Sequence, residues 1–532
     1  MDVTSSSNQA AAYSNTINPS LLKRIQKTIF SVIALSLVLF AIFAVDMARV
    51  NMLPLFEDNL MESRNALHER ILSEDNAAIQ LDELYYRGLW PSLMRKVTSS
   101  EYVLDKKGID TIFDLYATMP AFNSTVLMLH NLMGGVCLFI GIFQFAPGFR
   151  QRNPELHKKM GKVYFYVVLL AMTGSITYLS ITPHDHIFGG DSFRLGLWGL
   201  AIACVITLLL AVYTAKQGKL AQHQLFMALN YSTILTAPLL RYNWTLIGLF
   251  LPEQNTFDEG NWASTLMLAI QVPLCAYLLL VINRRGQKNR KTLPSINPGS
   301  MQAKVIYLVS STPLPIGLIL IPMATYGYQF IIKYTSDSVL LNSDLLASAA
   351  SHEWNTLAPL VLARYGFSIT AAGTLLLSVI TLRSILVFQL NTANTQKLDW
   401  KLPSMLAVST AFFGLFSLYF ANNLGGPSDT TLSVGVLYAC IGVLALIFGL
   451  LVFGALLYGN LPALKEYVVF CFCVGLMLPM YYFATVLRAA PDATLYEQSH
   501  QMQMMLSESS LVLFIGVVYA AFGEQMRKKY VR

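Results

Sequence analysis

The chain has 532 residues, of which 55% are hydrophobic and 13% charged, with a mean hydropathy of +0.51. Soluble domains carry roughly 25% charged residues, so a soluble fold of this composition would lack the polar surface to cover itself, and lipid is the expected solvent. The net charge of +7 does not point to nucleic acid, because the basic residues lie in short runs between apolar stretches, as membrane orientation requires.

A crossing helix needs about 20 predominantly apolar residues. On that measure the chain predicts an all-α, polytopic transmembrane bundle of about twelve helices. A polar tail, 1–27, precedes a first span at 28–49, which is longer than a signal-peptide core and reads as a retained anchor. Asp46 and Arg49 mark its outer boundary. Segment 51–123 follows, with twelve acidic residues against seven basic ones and no cysteine. Leu60, Leu67, Ile71, Ile79 and Leu84 recur there at helical spacing, which predicts a small helical cap, either passive or a lid or docking surface.

Five further spans are expected at 124–146, 162–182, 195–214, 224–250 and 263–282. Six more follow at 304–332, 366–389, 403–422, 432–458, 467–487 and 507–523. Cys137, Cys204, Cys275, Cys440, Cys471 and Cys473 all fall inside these spans without a C-x-x-C pair, so they read as small core residues.

Loop charge sets the orientation. Lys23, Arg24 and Lys27; Arg150, Arg152, Lys158, Lys159 and Lys162; Arg284, Arg285, Lys288, Arg290 and Lys291; and Arg527, Lys528, Lys529 and Arg532 all occupy loops of one parity. That side is expected to be the cytoplasm of a bacterial inner membrane, with both termini inside and 51–123 outside.

The spans also repeat in order. Residues 28–302 and 303–532 each show a lead helix, a long outer segment, four closely connected helices and a sixth helix ending in a basic run. GKLAQHQLF (218–226) parallels GNLPALKEY (459–467), and both fifth spans carry a late arginine, Arg241 and Arg488. Six spans per half give copies of the same orientation, a parallel repeat about an axis along the membrane normal.

The densest motif lies in the first half: His130, Gly134, Gly141, Gln144, Phe145, Pro147, Arg150, Arg152, Pro154, His157, Gly161 and Tyr164, then His223, Met227 and Arg241. Over 124–244 this pattern resembles the domain of unknown function 2306 family of bacterial membrane proteins. The resemblance implies a membrane location and a four-helix unit, and no particular reaction.

The same residues have a physical reading. Asn153-Pro154 reads as a helix start, which puts His157 on the first turn of the third span with Gly161 and Tyr164 on its face. His223 opens the fifth span at the same depth. His130 lies two turns into the second span from the outer side, on a face continued by Gly134 and Gly141, and His184 and His186 lie near that depth.

Axial histidines on facing helices, with small residues where a macrocycle would lie, are what a b-type haem needs. One pair would be His157 and His223, the other His130 with His184 or His186. The competing reading has these histidines binding lipid headgroups or capping helices, with the glycines tightening helix contacts. P-H-D-H also has metal-ligand types at His184 and His186. Arg241, at membrane depth, is expected to face the interior and an anionic group, or to reach outward to water. In the second half the His130 position falls near Ile369–Ala371, that of His157 near Trp400 and that of His223 at Lys465, so no histidine stands in them.

No phosphate loop, H-E-x-x-H, G-x-S-x-G or dinucleotide fingerprint occurs. Three functions follow from the sequence: a haem- or quinone-linked membrane redox protein, a transporter with a six-plus-six repeat, or a non-catalytic assembly protein. A transporter predicts a polar path lined by residues such as Asn230, Tyr231 and Gln271.

Overall fold

The computed structural model describes residues 19–73, 77–98, 100–104, 115–183, 187, 190–250, 257–284, 314–327, 361–390, 400–424, 434–488 and 507–529. The chain is all-helical among them. Helix α1 (Pro19–Val50) leads into four short helices, α2 (Leu60–Ser73), α3 (Ala77–Tyr86), α4 (Leu89–Val97) and α5 (Ser100–Leu104). Then come α6 (Ala121–Phe145), the single turn-and-a-half α7 (Pro147–Arg152), α8 (Pro154–Ile181), α9 (Gly190–Lys216), α10 (Leu220–Ile234), α11 (Thr236–Phe250) and α12 (Phe257–Arg284). The remaining helices are α13 (Leu314–Gly327), α14 (Val361–Leu390), α15 (Lys401–Leu424), α16 (Val434–Leu457), α17 (Leu461–Arg488) and α18 (Leu513–Lys529).

Among the described residues nine helices are long and apolar enough to cross a membrane. Of the other three expected spans, 224–250 is interrupted, 507–523 opens with a 3₁₀ turn, and 304–332 is described only in part. The region 224–250 is two helices of 15 residues each, interrupted at Leu235. The cause is Pro238, which has no N–H to give Ile234 and whose ring crowds that carbonyl. Helix α13 has 14 described residues, and 507–523 holds a 3₁₀ turn, Ser509–Val512, before α18. The basic run Arg285 to Lys291 lies outside the described residues.

Neighbouring helices follow the same order in both parts of the chain. In the first, α1 packs on α6, α6 on α8, α8 on α9, α9 on α10, and α10 with α11 on α12; α6 also touches α10. In the second, α13 packs on α14, α14 on α15, α15 on α16, α16 on α17 and α17 on α18; α14 also touches α17. The two sets meet where α12 packs on α16 and α18 and where α10 packs on α18.

The turns before α10 and α17 share three backbone hydrogen bonds in register. The N–H groups of Gln217, Gly218 and Lys219 donate to Tyr213, Ala215 and Thr214; those of Tyr458, Gly459 and Asn460 donate to Gly454, Leu456 and Ala455. Gly218 and Gly459 both have positive φ, 70° and 60°, as a left-handed helix C-cap requires. In this register Pro238 falls on Pro479, inside α17. His223 falls on Leu464, one residue before the Lys465 with which the sequence comparison pairs it.

Close packing follows small residues. A Cβ on Gly414 would sit 2.8 Å from Gly442 O, and one on Gly449 would sit 3.1 Å from Ala407 O, so α15 and α16 approach backbone to backbone. Lipid-phase association gains little from hydrophobicity, and such contact is what remains to hold helices together.

The segment after α1 is a cap seated on the bundle. Asp46 accepts from the Leu89 N–H at 2.6 Å, at the start of α4, and pairs with Arg49 at 3.1 Å. Arg49 also donates to the carbonyls of Leu84 and Tyr85. The two residues expected only to mark a boundary thus tie the cap down. Glu83 is buried and takes both oxygens to Arg95, at 2.9 and 3.0 Å. Tyr102 fills the notch left by Gly248 and Gly260 between α11 and α12, and Trp90 lies 5.6 Å from Trp244.

Candidate functional site

Two histidine levels stand on the α6–α8–α10 face of the first set of helices. At one end α8 starts with Pro154 at its first position. Asn153 occupies the cap position without making a side-chain capping bond. His157 is on the first turn, as expected, and its carbonyl accepts from Gln144 Nε2 at 3.5 Å. Its Nδ1 is buried with no hydrogen-bond partner among the described residues.

His223 is on the first turn of α10, and its Nδ1 lies 2.9 Å from Ala211 O on α9. The rings of His157 and His223 are electrostatic neighbours, and the Arg150 guanidinium on α7 acts on both. A ring whose Nδ1–H is given to a backbone carbonyl keeps its Nε2 lone pair for a ligand, which is how metal-binding imidazoles are oriented.

Beneath this level the helices are locked together. Tyr164 Oη donates to Asn230 Oδ1 at 2.8 Å, and Asn230 Nδ2 donates to Cys204 O at 2.7 Å, with Cys204 Sγ and Thr207 Oγ1 at 3.3 Å. Tyr231 Oη donates to Leu138 O at 2.8 Å, and its ring stacks on Phe145 at 5.2 Å. That ring occupies the space over Gly141. Gly141, expected to make room for a flat cofactor, makes room for Tyr231, and a Cβ on Gly161 would lie 3.7 Å from Gln144 Oε1. Gly134 has open space above it among the described residues.

The other level is built on His130. Its Nδ1 lies 2.9 Å from Ala171 O, and Gly174 allows the close approach, since a Cβ there would meet Val126 O at 2.9 Å. Ala171 is fourteen residues beyond His157 on α8, so the levels stand about 21 Å apart along that helix at a 1.5 Å rise. The charge of Arg241 reaches both His130 and Tyr116. Its guanidinium lies 5.6 Å from the Trp244 ring centre and donates to Ala237 O at 3.1 Å.

His184 and His186 lie outside the described residues. Among the described residues no group of three or more His, Cys, Asp or Glu could hold a bare metal ion.

Besides Glu83 of the cap, sequence reasoning missed a buried carboxylate in the bundle. Glu466, at the start of α17, accepts from Tyr277 Oη at 3.3 Å, beside Lys465, which donates to Gln389 Oε1 at 2.7 Å. Its signal was an acid bordering an apolar run, disguised by its place beside a loop. Gln271, the remaining polar group named for a transport path, is paired: it exchanges bonds of 3.1 and 2.9 Å with Asn243.

Neither the curated proteins nor the solved structures contain a match to this chain. Residues 127–274 match the model of a family described as "Predicted membrane protein (DUF2306)". The match starts on α6 and runs into α12, beyond residue 244, so it takes in both histidine levels and Arg241. The chain is therefore a multi-pass helical membrane protein carrying a region similar to that family.

Proposed function

We propose that this protein is a membrane redox protein that holds a b-type haem between His157 and His223. The observation that carries the reading is the pairing of a buried, unpartnered His157 Nδ1 with a neighbouring His223 whose own Nδ1 is already bonded to Ala211 O. A buried polar atom without a partner calls for one. The group supplies one-electron chemistry. The chain's part is to hold His223 in one tautomer through Ala211 and to place the Arg150 charge beside both rings. A membrane quinone is the class of partner suited to such a centre.

A transport path has less support. Asn230, Tyr231 and Gln271 spend their polar atoms on bonds between helices. We further read residues 28–302 and 303–532 as parallel copies, supported by the common neighbour order and the matched turns before α10 and α17. The basic loops support an inner-membrane orientation with both termini and the His157–His223 end in the cytoplasm and the cap outside.

The test is a reduced-minus-oxidised spectrum of the full-length protein purified from haem-replete cells. A Soret and α-band difference is expected, and His157→Ala and His223→Ala should each remove the same component. A featureless spectrum from the native protein overturns the reading.

A further inference from the structure

We propose that Arg241 seats the phosphate of an anionic phospholipid in the leaflet on the side of the cap. Arg241 forms no ion pair among the described residues, and its one hydrogen bond goes to its own helix at Ala237 O. A guanidinium has five N–H donors in a fork that matches phosphate oxygens, so most of its capacity is unspent. The residue is half-buried.

Depth selects the ligand. Arg241 follows His223 by eighteen residues, which is at most about 27 Å along α10 and α11. The hydrocarbon core is about 30 Å thick. With His223 at one boundary, Arg241 therefore stands near the other, where lipid phosphates lie. The surroundings fit a headgroup: Trp244 lies against the guanidinium, and Tyr116 and His130 share its field. Tryptophan and tyrosine belong at this depth for the same reason. Trp90 of the cap contacts Trp244, so a bound headgroup would also brace the cap.

The experiment uses delipidated full-length protein in neutral detergent, titrated with phosphatidylglycerol, phosphatidylcholine or inorganic phosphate. Native mass spectrometry reads the bound lipid, and thermal unfolding reads its effect. Phosphatidylglycerol should bind and raise the Tm, with apparent affinity at least tenfold weaker in Arg241→Gln and intermediate in Arg241→Lys, which keeps the charge and loses the fork. Equal binding by native protein and Arg241→Gln overturns the proposal. So does phosphatidylcholine matching phosphatidylglycerol, or inorganic phosphate alone giving the full shift, which would assign the seat to a free anion. If Arg241→Gln does not fold, Arg241→Lys decides between the same outcomes.

Discussion

Asn230 shows what a single polar residue does in a lipid-facing fold. Its amide joins α8, α9 and α10 by accepting from Tyr164 and donating to Cys204 O. Interhelical hydrogen bonds in membranes average about 0.6 kcal/mol each, so Tyr164→Phe is expected to cost about that much. Asn230→Leu breaks the whole junction and should cost roughly 1–2 kcal/mol on the same scale. Unfolding in mixed detergent micelles measures both, and equal effects would show that Asn230 acts through the tyrosine alone. Gly141 makes the matching steric case. The Tyr231 ring stands where a Cβ would go, so Gly141→Ala must push it off Phe145 and Leu138. Overpacking of this kind costs about 1–3 kcal/mol, and the loss should appear as a lowered Tm, largely restored by pairing it with Tyr231→Leu.

At the scale of elements, the cap is held by its attachment to α1. Asp46 accepts the first free N–H of α4 across 43 positions of sequence, and Gly88, with φ 91°, brings the chain within its reach. A Cβ at Gly88 would lie 2.6 Å from Asp46 Oδ2. Loss of a helix cap costs about 1 kcal/mol. Asp46→Ala should therefore raise hydrogen exchange across 89–97 several-fold while α6 and α8 stay protected. Uniform loosening of the bundle would show instead that Asp46 supports the whole fold. Helix α10–α11 and helix α17 differ at this scale in a way composition does not announce: prolines at matched positions interrupt one and leave the other continuous. Whether a proline breaks or bends a helix depends on neighbours that re-satisfy the freed carbonyl.

At the scale of the molecule, orientation is the testable property. The six cysteines all lie within the helices of the bundle, so new surface thiols can be read against a low background. Glu69→Cys, on an exposed face of the cap, should react with an impermeant maleimide in intact cells. Lys158→Cys, exposed at the start of α8, should react only after the membrane is opened. The reverse pattern would invert the topology. Among the described residues the two sets of helices meet around α10, α12, α16 and α18, and the Tyr277–Phe470 ring contact of 4.6 Å ties α12 to α17 as well.

The multi-pass helical class, most span positions and the motif between His130 and Arg241 were legible in the amino-acid order, because hydropathy is local: a run of apolar side chains must find lipid or core whatever its neighbours do. The polar chemistry was legible as a set of residues and not as an arrangement. That the His223 ring is anchored on Ala211 O, that Gly141 is filled by Tyr231, that Asp46 caps a helix of another segment and that Glu466 meets Tyr277 each depend on which helices become neighbours and on how each is rotated about its axis. Those choices come from small-residue contacts and hydrogen bonds between distant parts of the chain, and only the tertiary structure makes them.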